Sequence, residues 1–252
     1  MTLASKRKAN KAICIFNEYN NKSAKYDGWI RLPGVSQDKS FITTMLIKDY
    51  DIEEVTNQND IEECLRDISK KWRDETIHRL HFHFSGHGIM DQTFVKAFNT
   101  NQDFMEINTP IWDHIVGNNG DQNLFSVHFI KYLLKKMNPE MLTITLDCYH
   151  DFVFRRPIIN PKLELPVLPT TLESDLRNML TLHSTCGSSI SYDADSFCKE
   201  LWKVYQENQH HIPLMKLSTL INDSWNNRRV NQVCTMETVE VQNHLKGKCW
   251  PA

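Results

Sequence analysis

The chain has 252 residues, of which 40% are hydrophobic and 24% charged, and its formal net charge is −2. That is globular composition, enough for one large α/β domain or two small ones. The near-neutral balance argues against a nucleic-acid partner, the lack of a polybasic run against a membrane surface, and apolar runs all under ten residues against a bilayer span.

Met1 to Asn10 is basic, is followed by no apolar stretch of signal-peptide length, and reads as a disordered leader. Lys11 to Phe16 is a short apolar run bounded by polar residues, the pattern of a buried first strand. Asn17 to Arg31 is polar and Asn-rich, hence loop, and Leu32-Pro33-Gly34 is a turn. Val35, Phe41, Ile42, Met45 and Leu46 then fall at helical spacing, with Gln37 and Asp38 near the helix start. Tyr50 to Val55 reads as a second strand and Asp60 to Trp72 as a second amphipathic helix. A third strand runs from Ile77 into Ser85-Gly86-His87-Gly88. Phe94 to Phe98 alternates as a short strand, and Asn99 to Asn123 is polar and turn-rich. Ser126 is placed to cap a third helix through Lys136, and Met141 to Asp147 is the next core strand.

Arg155 to Thr171 holds four of the nine prolines and reads as an exposed connector. Beyond it, Leu176 to Ser184 is a strand, Phe197 to Gln206 and Leu214 to Trp225 are helices, and Thr235 to Val241 is an edge-type strand. The alternation predicts a mostly parallel sheet with helices on both faces. In such sheets chemistry sits beyond the carboxyl ends of the strands.

Two strand ends carry chemistry. His87 stands on a glycine-flanked turn, and Asp147-Cys148-Tyr149 closes the next core strand. A histidine at one strand end and a cysteine at the next is the layout of a Cys/His hydrolase. The plainer readings are an ordinary turn histidine at 87 and, ahead of a nucleophile, a small buried hydrophobe at Cys148. His81 and His83 share one strand face and Phe82 and Phe84 the other, which an alternating strand explains. No Asp or Cys near them in sequence completes a ligand set, so neither a metal nor a cofactor is expected. Seven cysteines without framework spacing suit a reducing, cytoplasmic setting, and Cys186, Cys198, Cys234 and Cys249 read as structural.

Ser85-Gly86-His87-Gly88 after an apolar strand, with Leu146-Asp147 closing the next one, resembles the caspase-like cysteine peptidases, especially paracaspases and metacaspases. Leu32 to Asp38 is similar to the segment before their first helix, and Leu182 to Ser188 to the start of their small subunit. The resemblance covers nearly the whole chain. It implies a three-layer α/β sandwich over 11–252, with 11–154 large-subunit-like, 155–171 the connector and 172–252 small-subunit-like. It implies an endopeptidase in which His87 orients or deprotonates a thiol and the Gly88 amide helps to hold the oxyanion. It also implies that Asp38 and Asp147 line a pocket for Arg or Lys, although Asp38 reads equally as a helix cap.

The chain departs from the family at the nucleophile. The family pattern is Asp-x-Cys, and here Tyr149 stands at that position with Cys148 one residue early. Alternation along a strand aims Cys148 away from His87 unless a bulge intervenes. Two functions follow: a degenerate peptidase, or a non-catalytic pseudoprotease used as an interaction or dimerisation module. The expected partners are a peptide or protein substrate and a second caspase-like chain, docked at the edge near Val239 to Val241.

Overall fold

The structure is a computed structural model and describes residues 9–20, 31–90, 113–118, 124–150, 177–184, 196–209, 211–228, 234–239, 241–242 and 249–251; at 89, 90, 113, 124, 149 and 150 only the backbone is described. The strands are β1 (Ala9–Phe16), β2 (Asp51–Thr56), β3 (Ile77–Met90), β4 (Asp113–Val116), β5 (Leu124–Ser126), β6 (Met141–His150), β7 (Met179–His183), β8 (Ile212–Pro213), β9 (Thr235–Val239) and β10 (Cys249–Trp250). The helices are α1 (Val35–Leu46), α2 (Ile61–Lys71), α3 (Val127–Lys135), α4 (Phe197–Glu207) and α5 (Leu217–Asn227). None of them is long and apolar enough to cross a membrane.

The main sheet runs β2-β1-β3-β6-β7-β9. Its pairings from β2 through β7 are parallel and β9 closes the edge antiparallel. Successive side chains of a strand point to opposite faces, so β1 feeds two cores. Ala12, Cys14 and Phe16 pack with Ile42, Met45, Leu201 and Trp225 of α1, α4 and α5. Ile13 and Ile15 pack with Leu65, Ile68 and Leu134 of α2 and α3, beside Phe82, Phe84, Ile144 and Leu146 of the central strands. The expected layering, a mostly parallel sheet with helices on both faces, is the one observed.

Several boundaries differ from expectation. The stretch read as a long polar loop contains β4, which pairs antiparallel with the end of β3 and with β5. A four-residue strand with two apolar residues carries almost no periodic signal, and pairing with neighbours creates it. Helix α2 starts on Asp60, whose carboxylate accepts the Glu63 N–H at 2.9 Å. Ser126 occupies the cap position of α3 but makes no side-chain capping bond. Leu214–Lys216 is a separate 3-10 turn before α5, and the seventh strand begins at Met179. The short strand read at Phe94 to Phe98, the connector at 155–171 and Arg155-Arg156 lie outside the described residues.

Candidate active site

Beside β6, the β3 register pairs Ser85 with Asp147, Gly86 with Cys148, His87 with Tyr149 and Gly88 with His150. Paired positions share a sheet face. Asp147 lies on the α1/α4 side, where its Oδ2 accepts the main-chain N–H of Cys198 at 3.3 Å. Cys148 lies on the other side, 1% exposed in the core with Phe84, Ile144 and Leu146. His87, 3% exposed, packs its ring 4.5 Å from that of Tyr19, which belongs to the α1/α4 core. By alternation along the paired strands Cys148 and His87 leave the sheet on opposite faces, and Tyr19 stands at the strand ends near both, its ring on His87 and its hydroxyl pKa pushed up by burial and in part by the charge of Cys148. The backbone at 149 is opposite His87, and the Tyr149 side chain lies outside what is described.

The loop after β1 braces His87. Tyr19 has φ 56°, the left-handed region that an aromatic residue rarely adopts. Its N–H donates to Asn118 Oδ1 at 3.1 Å, which holds the turn. Its hydroxyl donates to the Val116 carbonyl at 2.7 Å and accepts the His87 N–H at 3.0 Å. Asn17 ties the same loop to β4, donating to the Val116 carbonyl at 3.2 Å. A Cβ at Gly86 would sit 2.7 Å from Phe84 Cζ and 2.9 Å from the Tyr19 hydroxyl, so only glycine lets this loop approach. Tyr19 was hidden from sequence reasoning because the aperiodic Asn-rich stretch around it reads as plain loop.

On the α1/α4 side, Asp38, Asp147 and Cys198 converge, all buried, with a carboxylate oxygen of each Asp and the sulfur within 4.8 Å of one another. Asp38 is not the helix cap; Gly34 holds that position and Asp38 sits in the first turn. Burial, then the negative charges of Asp38 and Asp147, pushes the Cys198 thiol well up, so it is held protonated. Cys198 Sγ lies 3.6 Å from Ser85 Oγ and 3.7 Å from His83 Nε2.

His83 bonds Thr145 Oγ1 through Nδ1 and Ser85 Oγ through Nε2, each at 2.8 Å. Thr145 Oγ1 continues to His81 Nε2 at 3.2 Å. Both imidazoles are pushed down by burial, His81 to about 3, so they are neutral. Cys198 reaches His83 from 115 residues away, a contact that local sequence pattern does not reveal.

A family model for the caspase domain matches residues 11–244. The chain belongs to the caspase domain family. No curated protein matches it. For this caspase domain the match and the sheet agree on an α/β sandwich and on the scaffold of a peptidase. On that scaffold the end of β3 carries the His87 imidazole, Gly88 is paired with Ile115 of β4 and His150 of β6, and the Asp38 and Asp147 carboxylates lie together on the α1/α4 side. Among the described residues, the thiols at Cys148 and Cys198 are both buried in packed side chains.

Proposed function

We propose that this caspase domain is a degenerate cysteine peptidase that retains a receptor for basic side chains and has lost its nucleophile. The observation that carries the reading is the register of β3 on β6. It sets Tyr149 opposite His87 and leaves Cys148 in the opposite core. A phenol, with an ordinary pKa near ~10, is a poor nucleophile toward an amide at neutral pH. The paired carboxylates of Asp38 and Asp147 match a guanidinium or ammonium group, which favours Arg or Lys over Asp before the scissile bond.

The second reading is a pseudoprotease whose fold serves as a docking module, with the β9 edge as its pairing surface. It is favoured by the position of β9 at the end of the sheet path. The two readings share a site and differ in residual cleavage.

The test uses wild type, Cys148→Ala and Tyr149→Cys with fluorogenic peptides carrying Arg, Lys or Asp before the cleaved bond. Silent wild type with cleavage after Arg or Lys by Tyr149→Cys is the expected result. Wild-type cleavage abolished by Cys148→Ala overturns it.

A further inference from the structure

We propose that Asp38, Asp147 and Cys198 form a binding site for a thiophilic divalent cation of the zinc class. This goes beyond peptide recognition and does not rest on it. Three separate elements supply the donors: the first turn of α1, the end of β6 and the start of α4. Their ligand atoms already lie within 4.8 Å of one another. Zn–S bonds of about 2.3 Å and Zn–O bonds of about 2.0–2.2 Å place tetrahedral donors about 3.5 Å apart, so torsion changes in three side chains close the set.

The donor types select the ion. Calcium and magnesium take oxygen shells, whereas a thiolate beside two carboxylates suits zinc and cobalt. Coordination releases the Cys198 proton to solvent. Ser85 Oγ and His83 Nε2, at 3.6 and 3.7 Å from the sulfur, are placed to orient it from behind. His83 is itself fixed through Thr145. Asp38 and Asp147 are each 6% exposed while Cys198 is fully buried, so the carboxylates form the entry and the sulfur the floor. The site would hold a metal away from the Cys148 core and would compete with a basic side chain for the same carboxylates.

The experiment adds Co2+ alone, and separately Zn2+ alone, to the reduced full chain. The expected result is one ion per chain, with a sulfur-to-cobalt charge-transfer band in the near ultraviolet. The band should be lost in Cys198→Ser and kept in Cys148→Ser. Affinity should fall at least about tenfold in Asp147→Asn and Asp38→Asn, whose amides donate more weakly to a cation. X-ray absorption at the zinc edge of the wild type needs no variant to fold, and one sulfur with oxygen neighbours is expected. A band that survives in Cys198→Ser, a zinc shell without sulfur, or no binding by the wild type overturns the proposal. None of these readouts involves peptide cleavage, so failure here is distinct from failure of the peptidase reading.

Discussion

The main-chain N–H of His87 donates to the hydroxyl of Tyr19 at 3.0 Å, and that hydroxyl in turn donates to the carbonyl of Val116. One phenol thus joins the loop after β1, the end of β3 and the end of β4. Tyr19→Phe keeps the ring contact with His87 and removes both hydrogen bonds. We expect it to cost about 1–3 kcal/mol, the penalty of leaving buried polar groups without their partner. Urea denaturation of the two proteins measures it, and an unchanged midpoint would mean that the hydroxyl does not brace the loop.

Gly86 makes the same approach possible from the other side. Its missing side chain leaves room for Phe84 Cζ and the Tyr19 hydroxyl, both closer than 3.0 Å to where a Cβ would stand. Gly86→Ala forces one of two packed aromatic rings to move. Overpacking of this kind costs about 1–3 kcal/mol. The melting temperature should fall, and combining Gly86→Ala with Tyr19→Phe should give less than the sum, because the two changes share one contact.

What was legible in the sequence followed from local pattern. The apolar run ending in Ser85-Gly86-His87-Gly88, the capped pattern of α2 and the proline-free alternation of β6 each carry their own signal. The faces of His81 and His83 came from period-two alternation alone. The pairing of Asp38 with Asp147 came only through family resemblance, because no local pattern links a helix start to a strand end. Cys198 escaped because it meets Asp147 across 51 residues and His83 across 115. A cysteine in an amphipathic helix looks like a core residue until the partner strand is in place. Tyr19 and β4 escaped because they depend on pairing, not periodicity.

Acid should destabilise the fold in a defined window. On the β7–β9 edge, the imidazole of His183 at 4.0 Å and the ammonium of Lys131 at 2.7 Å hold the Glu237 carboxyl down to about 2 from an ordinary 4.5. A carboxylate depressed in the folded state contributes stability that is complete above pH 4.5 and is lost as pH falls toward 2. Buried His81, lowered to about 3 from 6.5, adds an earlier loss below pH 6.5 because the unfolded chain takes up its proton first. Glu237→Gln should flatten only the lower part of the stability–pH curve, below pH 4.5. Equal slopes in both proteins there would show that the Lys131–Glu237–His183 cluster does not set acid stability.

Cys148 gives the sharpest check on which face the thiol occupies. It is 1% exposed among Phe84, Ile144 and Leu146, and its main-chain N–H donates to Ser184 Oγ at 3.3 Å. Cys148→Ser is nearly isosteric but sets a hydroxyl into that apolar packing. It should cost about 1–3 kcal/mol. Cys148→Ala removes the sulfur without adding a polar group and should cost less than Cys148→Ser. A thiol facing the polar, histidine-bearing side would reverse that order, since serine there finds hydrogen-bond partners. Chemical denaturation of the two variants side by side reads the order directly. If serine proves the milder change, the sulfur lies on the His87 side and the shifted nucleophile becomes the better reading of this caspase domain.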